Sequence, residues 1–360
     1  MKYLLTLFLL FFPALGFATP ASGEAKSVQG LALILNRDYR NAEKIFQELT
    51  QKYPKNPAGR LGLMVIDQAR MYENFDWNSQ QHFEKLASEN HRISKDVLNS
   101  HDSSLKEIFI AACSLSLESY HEARKDNFIK ALKLADSAAF AITRIRERDP
   151  RLKEMGDTLL GLGLYDYWKT VAVLKFRFIP MFWLYQDRRQ RGLERIQEVI
   201  DHGTYLAPVA MLAKTTILLE KNDNAEGIRL AHHFLEKYPK NIIMQSFLGM
   251  FFAKSSQWPL ALATFEKIHR EAPEIRLPFF YRGVIQLAQG QASQALKQFE
   301  LFRNLGPNNS WTAYALYDEA QALDSLGQSE PARIKREDAT RRLSRVSEDV
   351  LLFQPRLTTP

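Results

Sequence analysis

A chain of 360 residues, 46% apolar and 25% charged, has the composition of a foldable protein and not of a disordered tail. Its formal charge of +7 is modest over that length and comes with no known nucleic-acid motif, so no nucleic-acid partner is expected. The single cysteine, Cys113, excludes an internal disulfide.

The chain opens with Met1-Lys2, a minimal positive start, followed by an uncharged apolar run from Tyr3 to Phe12. Pro13 breaks that run, and the small residues Ala14, Gly16 and Ala18 follow. This layout predicts a secretory signal over residues 1–18, cleaved after Ala18. The apolar stretch falls short of the ~20 residues that span a bilayer, and a retained membrane anchor is the second reading. No cysteine follows the run, so a lipoprotein anchor is not expected. An exported chain without disulfides suits a bacterial periplasm.

Residues 24–150 read as helical repeats. Gly30, Ala42, Phe46 and Pro54 mark a first helix pair, with Asn36-Arg37-Asp38 as its turn. From Ala58 to Arg148 the helical pattern continues in longer helices: Leu61, Met64 and Val65 lie on one face, Ile108, Ala111, Ala112 and Leu115 on another, and Ala131, Leu134, Ala138, Ala141 and Ile145 on a third. Residues 151–204 hold a central helix pair interrupted by an aromatic and basic insert, Val171 to Arg191. It includes Phe178, Pro180, Met181, Phe182 and Trp183, then Arg188 and Arg189. Two readings stand for it. The rings either plug the core or form an apolar wedge with a basic rim that meets a membrane surface or a partner.

Residues 205–350 carry the clearest pattern. Gly249, Ala261, Phe265 and Pro273 recur as Gly283, Ala295, Phe299 and Pro307, each 34 residues on. A final pair ends in a helix crowded with Arg333, Lys335, Arg336, Arg341, Arg342 and Arg345, whose polar face suits a C-terminal cap; residues 351–360 read as a tail. This register of Gly, Ala-x3-Phe and Pro resembles the tetratricopeptide-repeat superfamily, whose members are mostly scaffolds and peptide-binding modules. The resemblance implies an all-α, right-handed solenoid of antiparallel helix pairs. Small Gly and Ala would sit where helices cross closely, Phe would fill the gap, and Pro would end the second helix. From about Arg60 to Pro239 the layout also resembles a loosely defined group of long tetratricopeptide proteins. That group has bacterial exported members and eukaryotic relatives linked to inclusion-body clearance and lipid droplets.

Few residues point to chemistry. His232 and His233 are neighbours, about 100° apart on a helix, and cannot comfortably share one ion. Gly161-Leu162-Gly163 begins like a dinucleotide fingerprint, but Asp166 stands at the third glycine position and no strand precedes it. Cys113 falls in an apolar stripe, as an inert buried thiol does. No enzyme, metal or cofactor is expected.

In the superfamily the first helix of each repeat lines the concave surface. Carried over, the lining is Leu212 and Thr216; then Ser246, Met250 and Lys254; then Phe280, Val284 and Leu287; then Tyr317 and Gln321. It lacks the Lys/Asn/Arg set that grips a terminal carboxylate in chaperone-binding relatives. What remains is burial of apolar side chains from a protein or peptide segment; alternatively these residues pack on an inner helix of the same chain. The expected function is an exported scaffold or adaptor acting in envelope assembly or secretion. The alternative is a membrane- or lipid-associated factor using the insert.

Overall fold

The computed structural model describes residues 21–74, 78–125, 127–148, 156–175, 186–306 and 310–343, and these contain helices, turns and links but no strand. Eight helices belong to the first half: α1 (Ala21–Leu35), α2 (Tyr39–Lys52), α3 (Ala58–Asn74), α4 (Gln80–Asn99), α5 (Leu105–Arg124), α6 (Phe128–Arg148), α7 (Thr158–Lys175) and α8 (Arg189–His202). Eight more follow: α9 (Ala207–Lys221), α10 (Asn224–Lys237), α11 (Ile242–Lys254), α12 (Trp258–Glu271), α13 (Leu277–Ala288), α14 (Ala292–Asn304), α15 (Ser310–Ser325) and α16 (Ser329–Leu343). Within each unit they pack as sequential antiparallel pairs in a tetratricopeptide-like manner. The chain divides into two compact units. Unit 1 is Met1–Ala69 with Ser79–Ile217; unit 2 is Arg70–Asn78 with Leu218–Pro360.

One turn geometry closes five of the pairs. Arg37, Asn222, Ser256, Gly290 and Gly327 all have φ between 56° and 75°. Each follows the first helix of a pair by one or two residues. In every case the next residue donates its N–H to the carbonyl five back, as Asp38 does to Leu33 and Gln257 to Phe252. The positive-φ residue itself donates three back, as Arg37 does to Ile34. This is the Schellman arrangement, which satisfies carbonyls orphaned at a helix C-terminus. Asn222, Ser256 and Gly290 are 34 residues apart, so the repeat register reaches back to α9. The second helices then start on side-chain caps where the sequence allows. Asp38 accepts from Asn41 N and Asp223 from Glu226 N, while Asn241 caps the first helix α11 through Met244 N.

Between the paired helices, glycine meets a phenylalanine ring. A Cβ built on Gly249 would lie 2.6 Å from Phe265 Cζ, one on Gly283 2.7 Å from Phe299 Cε1, and one on Gly30 2.4 Å from Phe46 Cζ. All three rings are fully buried, so the contact is a close-packed lock whose two halves cannot change size independently. Rings continue the core of unit 2: Phe265 stacks on Tyr281 at 4.8 Å, and Phe280 meets Phe302 at 5.4 Å and Trp311 at 5.0 Å. Arg276, buried, lies over Phe302. Asn74 from the end of α3 fastens the link between α12 and α13, accepting from Arg276 N and donating to Glu274 O.

Unit 1 buries a helix on every side. Residues Ile108 to Arg124 of α5 are all buried, polar ones included. Such a helix needs its charges paired. Glu118 takes His91 Nδ1 at 2.6 Å and Lys130 at 3.2 Å; Glu122 takes Lys130 at 2.9 Å; His121 meets Glu84 at 3.3 Å. Hydrogen bonding by Lys125 leads the causes that hold the Glu84 carboxyl down to about 2, while burial pushes the His121 imidazole down to about 4. Cys113 is buried in this helix.

Candidate binding surface

Helix α11 decides how the expected lining behaves. It is apolar on every side, and all twelve residues from Ile242 to Ala253 are buried. A helix of that pattern has no face left for a ligand. Ser246 and Met250 are therefore interior residues, as are Leu212 and Thr216 of α9, Thr216 donating its hydroxyl to Leu212 O. Phe280 and Val284 of α13 are interior too, Phe280 at the centre of the ring cluster just described. Lys254 reaches solvent only in part, and its ammonium group caps the preceding turn, donating to Leu219 O and Asn222 Oδ1 at 2.8 Å each.

Three of the ten expected residues remain reachable and unspent. Leu287 is half-buried on α13, while Tyr317 (39% exposed) and Gln321 are exposed on α15. These two helices touch, so the three side chains stand on adjoining first helices. Beneath them α15 carries two buried acids. Glu319 bridges α14 and α16, taking Arg303 and, at 2.7 Å, Lys335. Asp318 has no pairing group among the described residues; burial alone pushes its carboxyl up to about 7. Nothing in the sequence separated Asp318 from the exposed acids around it, because a single polar position inside an amphipathic pattern carries no burial signal.

Of the expected insert contacts, Phe178, Met181, Phe182 and Trp183 lie outside the described residues. Arg188 and Arg189 are described and roughly half-exposed; Arg189 pairs with Asp187 at 2.6 Å. The Gly161-x-Gly163 stretch that began like a nucleotide loop lies within α7, and Gly163 serves helix crossing. A Cβ there would sit 2.8 Å from Gly192 O on α8. Among the described residues no three metal-binding side chains converge, and no helix is long and apolar enough to cross a membrane.

The tetratricopeptide repeat family matches residues 29–56, the window of the Gly30–Phe46 lock and the Arg37 turn. Residues 29–56 form a tetratricopeptide repeat. The lock and turn recur in unit 2 at Gly249–Phe265 and Gly283–Phe299, so the same helix-pair build is repeated there. Among solved structures, PilW, titled a widely conserved type IV pilus biogenesis factor, is similar at 16% identity over 68% of this chain and 98% of its own, with a TM-score of 0.46. A tetratricopeptide repeat protein from Parabacteroides merdae is similar at 17% identity over 84% and 100%, TM-score 0.40. Yeast Tom70 is similar at 12% identity over 88% and 77%, TM-score 0.42. None is similar enough to carry a function across. No curated protein sequence matches the chain.

Proposed function

We propose that this chain is an exported scaffold that holds a segment of another protein on the solvent side of α13 and α15. The observation that carries this is the unburied set Leu287, Tyr317 and Gln321, held on two adjoining helices that are otherwise mostly buried. A tyrosine on a rigid helix offers a large amphipathic contact at low entropic cost, the usual make-up of a binding anchor. The surface presents no Lys/Asn/Arg clamp, so the segment is bound through apolar and neutral polar contacts. Export rests on the leader pattern of residues 1–18, and envelope assembly or secretion is the setting that pattern suits.

A photo-crosslinking residue at Gln321 in the full chain identifies the partner. With the partner purified, Tyr317→Glu is expected to weaken binding about tenfold or more while leaving the helical circular-dichroism signal intact. Unchanged affinity would remove this surface from the function. Export has its own check: the mature protein is expected to begin at Thr19, and a chain recovered with residues 1–18 still attached would contradict it.

A further inference from the structure

The start of α8 gathers positive charge where a helix least favours it. The N-terminal end of a helix carries partial positive charge, so acids belong there and bases at the far end. Helices α5 and α10 comply, with Glu107 and Glu226 in their first turns. Helix α8 has no acid in its first turn, no side chain capping it at Arg188, and arginines at 188, 189 and 191. Arg189 is matched by Asp187, whose carboxylate also accepts the Arg189 backbone N–H at 3.0 Å. The other two, with Arg195 one turn on, converge on a single carboxylate of α7, Asp166.

The distances show how little that carboxylate can neutralise. Arg195 Nη1 donates to Asp166 Oδ2 at 2.5 Å, whereas Arg191 Nε stands at 3.6 Å and Arg188 Nη1 at 3.9 Å. Asp166 is 5% exposed, while Arg188 and Arg191 are 45% and 57% exposed. One buried charge therefore serves three guanidinium groups, two of which stand beyond hydrogen-bond distance of it and are about half exposed. Arg146 of α6 adds a fourth positive charge to the same field, with Glu198 acting on it in opposition. Burial first, and then Arg191, Arg146 and Arg188, pull Arg195 below its usual value against the attraction of Asp166.

The backbone fixes this arrangement. A Cβ on Gly192 would lie 2.6 Å from Gly163 O and 2.8 Å from Tyr167 N, so α7 and α8 cross backbone to backbone. Asp166 lies one turn beyond Gly163, and the Thr170 hydroxyl, one turn further, accepts the Arg188 N–H at 3.2 Å. The first turn of α8 is thus set over Asp166 by the crossing, not by the arginines. A charge cluster set in place by backbone packing and not by its own pairing is where a functional site is expected.

We propose that Arg188, Arg191 and Arg195 form a site for a phosphoryl anion, with Asp166 as a buried base that aligns the guanidinium groups without neutralising them. Guanidinium forks match phosphate oxygens two at a time. A free phosphorylated solute and the phosphodiester headgroup of an anionic lipid offer the same chemistry. The site lies in unit 1 and does not depend on the segment-binding surface of unit 2.

The test uses the full mature chain and inorganic phosphate titrated at constant ionic strength, with binding read by calorimetry. Arg188→Gln with Arg191→Gln is expected to weaken phosphate binding at least about tenfold. Arg189→Gln with Arg229→Gln, which removes the same charge from paired arginines, is expected to leave it unchanged. Sedimentation with phosphatidylcholine vesicles, with and without phosphatidylglycerol, separates the sources. Retention only by the anionic vesicles, lost in the Arg188/Arg191 variant, assigns a lipid headgroup; phosphate binding without vesicle retention assigns a free solute. No binding of either probe by the parent, or equal losses in both double variants, would overturn the site. Vesicle retention that survives removal of Arg188 and Arg191 would do the same. If the glutamine variant fails to fold, Arg188→Lys with Arg191→Lys keeps the charge and removes the forks. Phosphate affinity equal to the parent's in that variant would overturn the proposed recognition.

Discussion

Phe299→Ala is expected to lower the stability of the chain by about 3–5 kcal/mol, among the largest single losses available in unit 2. Its ring is fully buried and touches both Gly283, across the pair, and Phe280, in the cluster that runs on to Trp311. The reverse change, Gly283→Ala, is expected to cost about 1–3 kcal/mol by overpacking, because three atoms of the Phe299 ring lie 2.7 to 2.9 Å from the new Cβ. Since both act on one contact, they are not additive: Gly283→Ala in a Phe299→Leu background should cost clearly less than in the parent. Urea denaturation of the four chains measures the cycle. A Gly283→Ala penalty that is the same in the Phe299→Leu background as in the parent would contradict the lock. Gly290 is the control, with open space around its missing side chain and only its φ of +74° to make alanine unfavourable there.

The second large effect is a gain. Asp318→Asn is expected to stabilise the chain above neutral pH by up to about 4 kcal/mol. Burial raises this carboxyl to about 7 in the folded chain, against about 3.9 when unfolded. Below the unfolded value both states hold the proton, and the group contributes nothing to the pH dependence. Between the two values the unfolded chain ionises while the folded chain does not, so stability falls as pH rises. Above about 7 both are ionised and the full penalty stays. Thermal midpoints of the parent and the variant should therefore coincide near pH 4 and separate progressively towards pH 8. Comparing the two chains cancels the contributions of Glu84 and His121, which work in the acid range. Curves that run parallel from pH 4 to 8 would show that Asp318 is not held in a low-dielectric site.

How much of this was written plainly in the residues depends on which force leaves a mark at fixed spacing. The Gly–Phe locks do, because the ring needs a missing side chain opposite it at a constant offset; hence Gly249 with Phe265 and Gly283 with Phe299 announced the helix pairs directly. The turns did so only in part. Asn222 takes the left-handed backbone that its side chain tolerates and that Gly290 and Gly327 mark openly, whereas at Arg37 and Ser256 the tertiary pairing of the helices overrides residue preference. The longer helices of unit 1 lost the ruler because α5 is buried all round and its pairs are held by Glu118, Glu122 and His121 as well as by apolar stripes.

The residues of the proposed binding surface were the least legible. Placing Ser246, Met250, Phe280 and Val284 on a surface assumed that first helices keep one face to solvent, and the apolar composition of α11 should have cautioned against it. Only the part of the lining on the last pairs, Leu287, Tyr317 and Gln321, stays in reach. The arginines of α8 were visible as a basic run, but their convergence on Asp166 depends on the Gly163–Gly192 crossing, which no spacing rule supplies.

Hydrogen exchange of the full chain, with and without the partner captured through Gln321, reads the segment-holding surface helix by helix. Slowed exchange at α13 and α15, with α12 and α14 unchanged, is the expected result. Capture of no partner, or protection confined to helices other than α13 and α15, would contradict it.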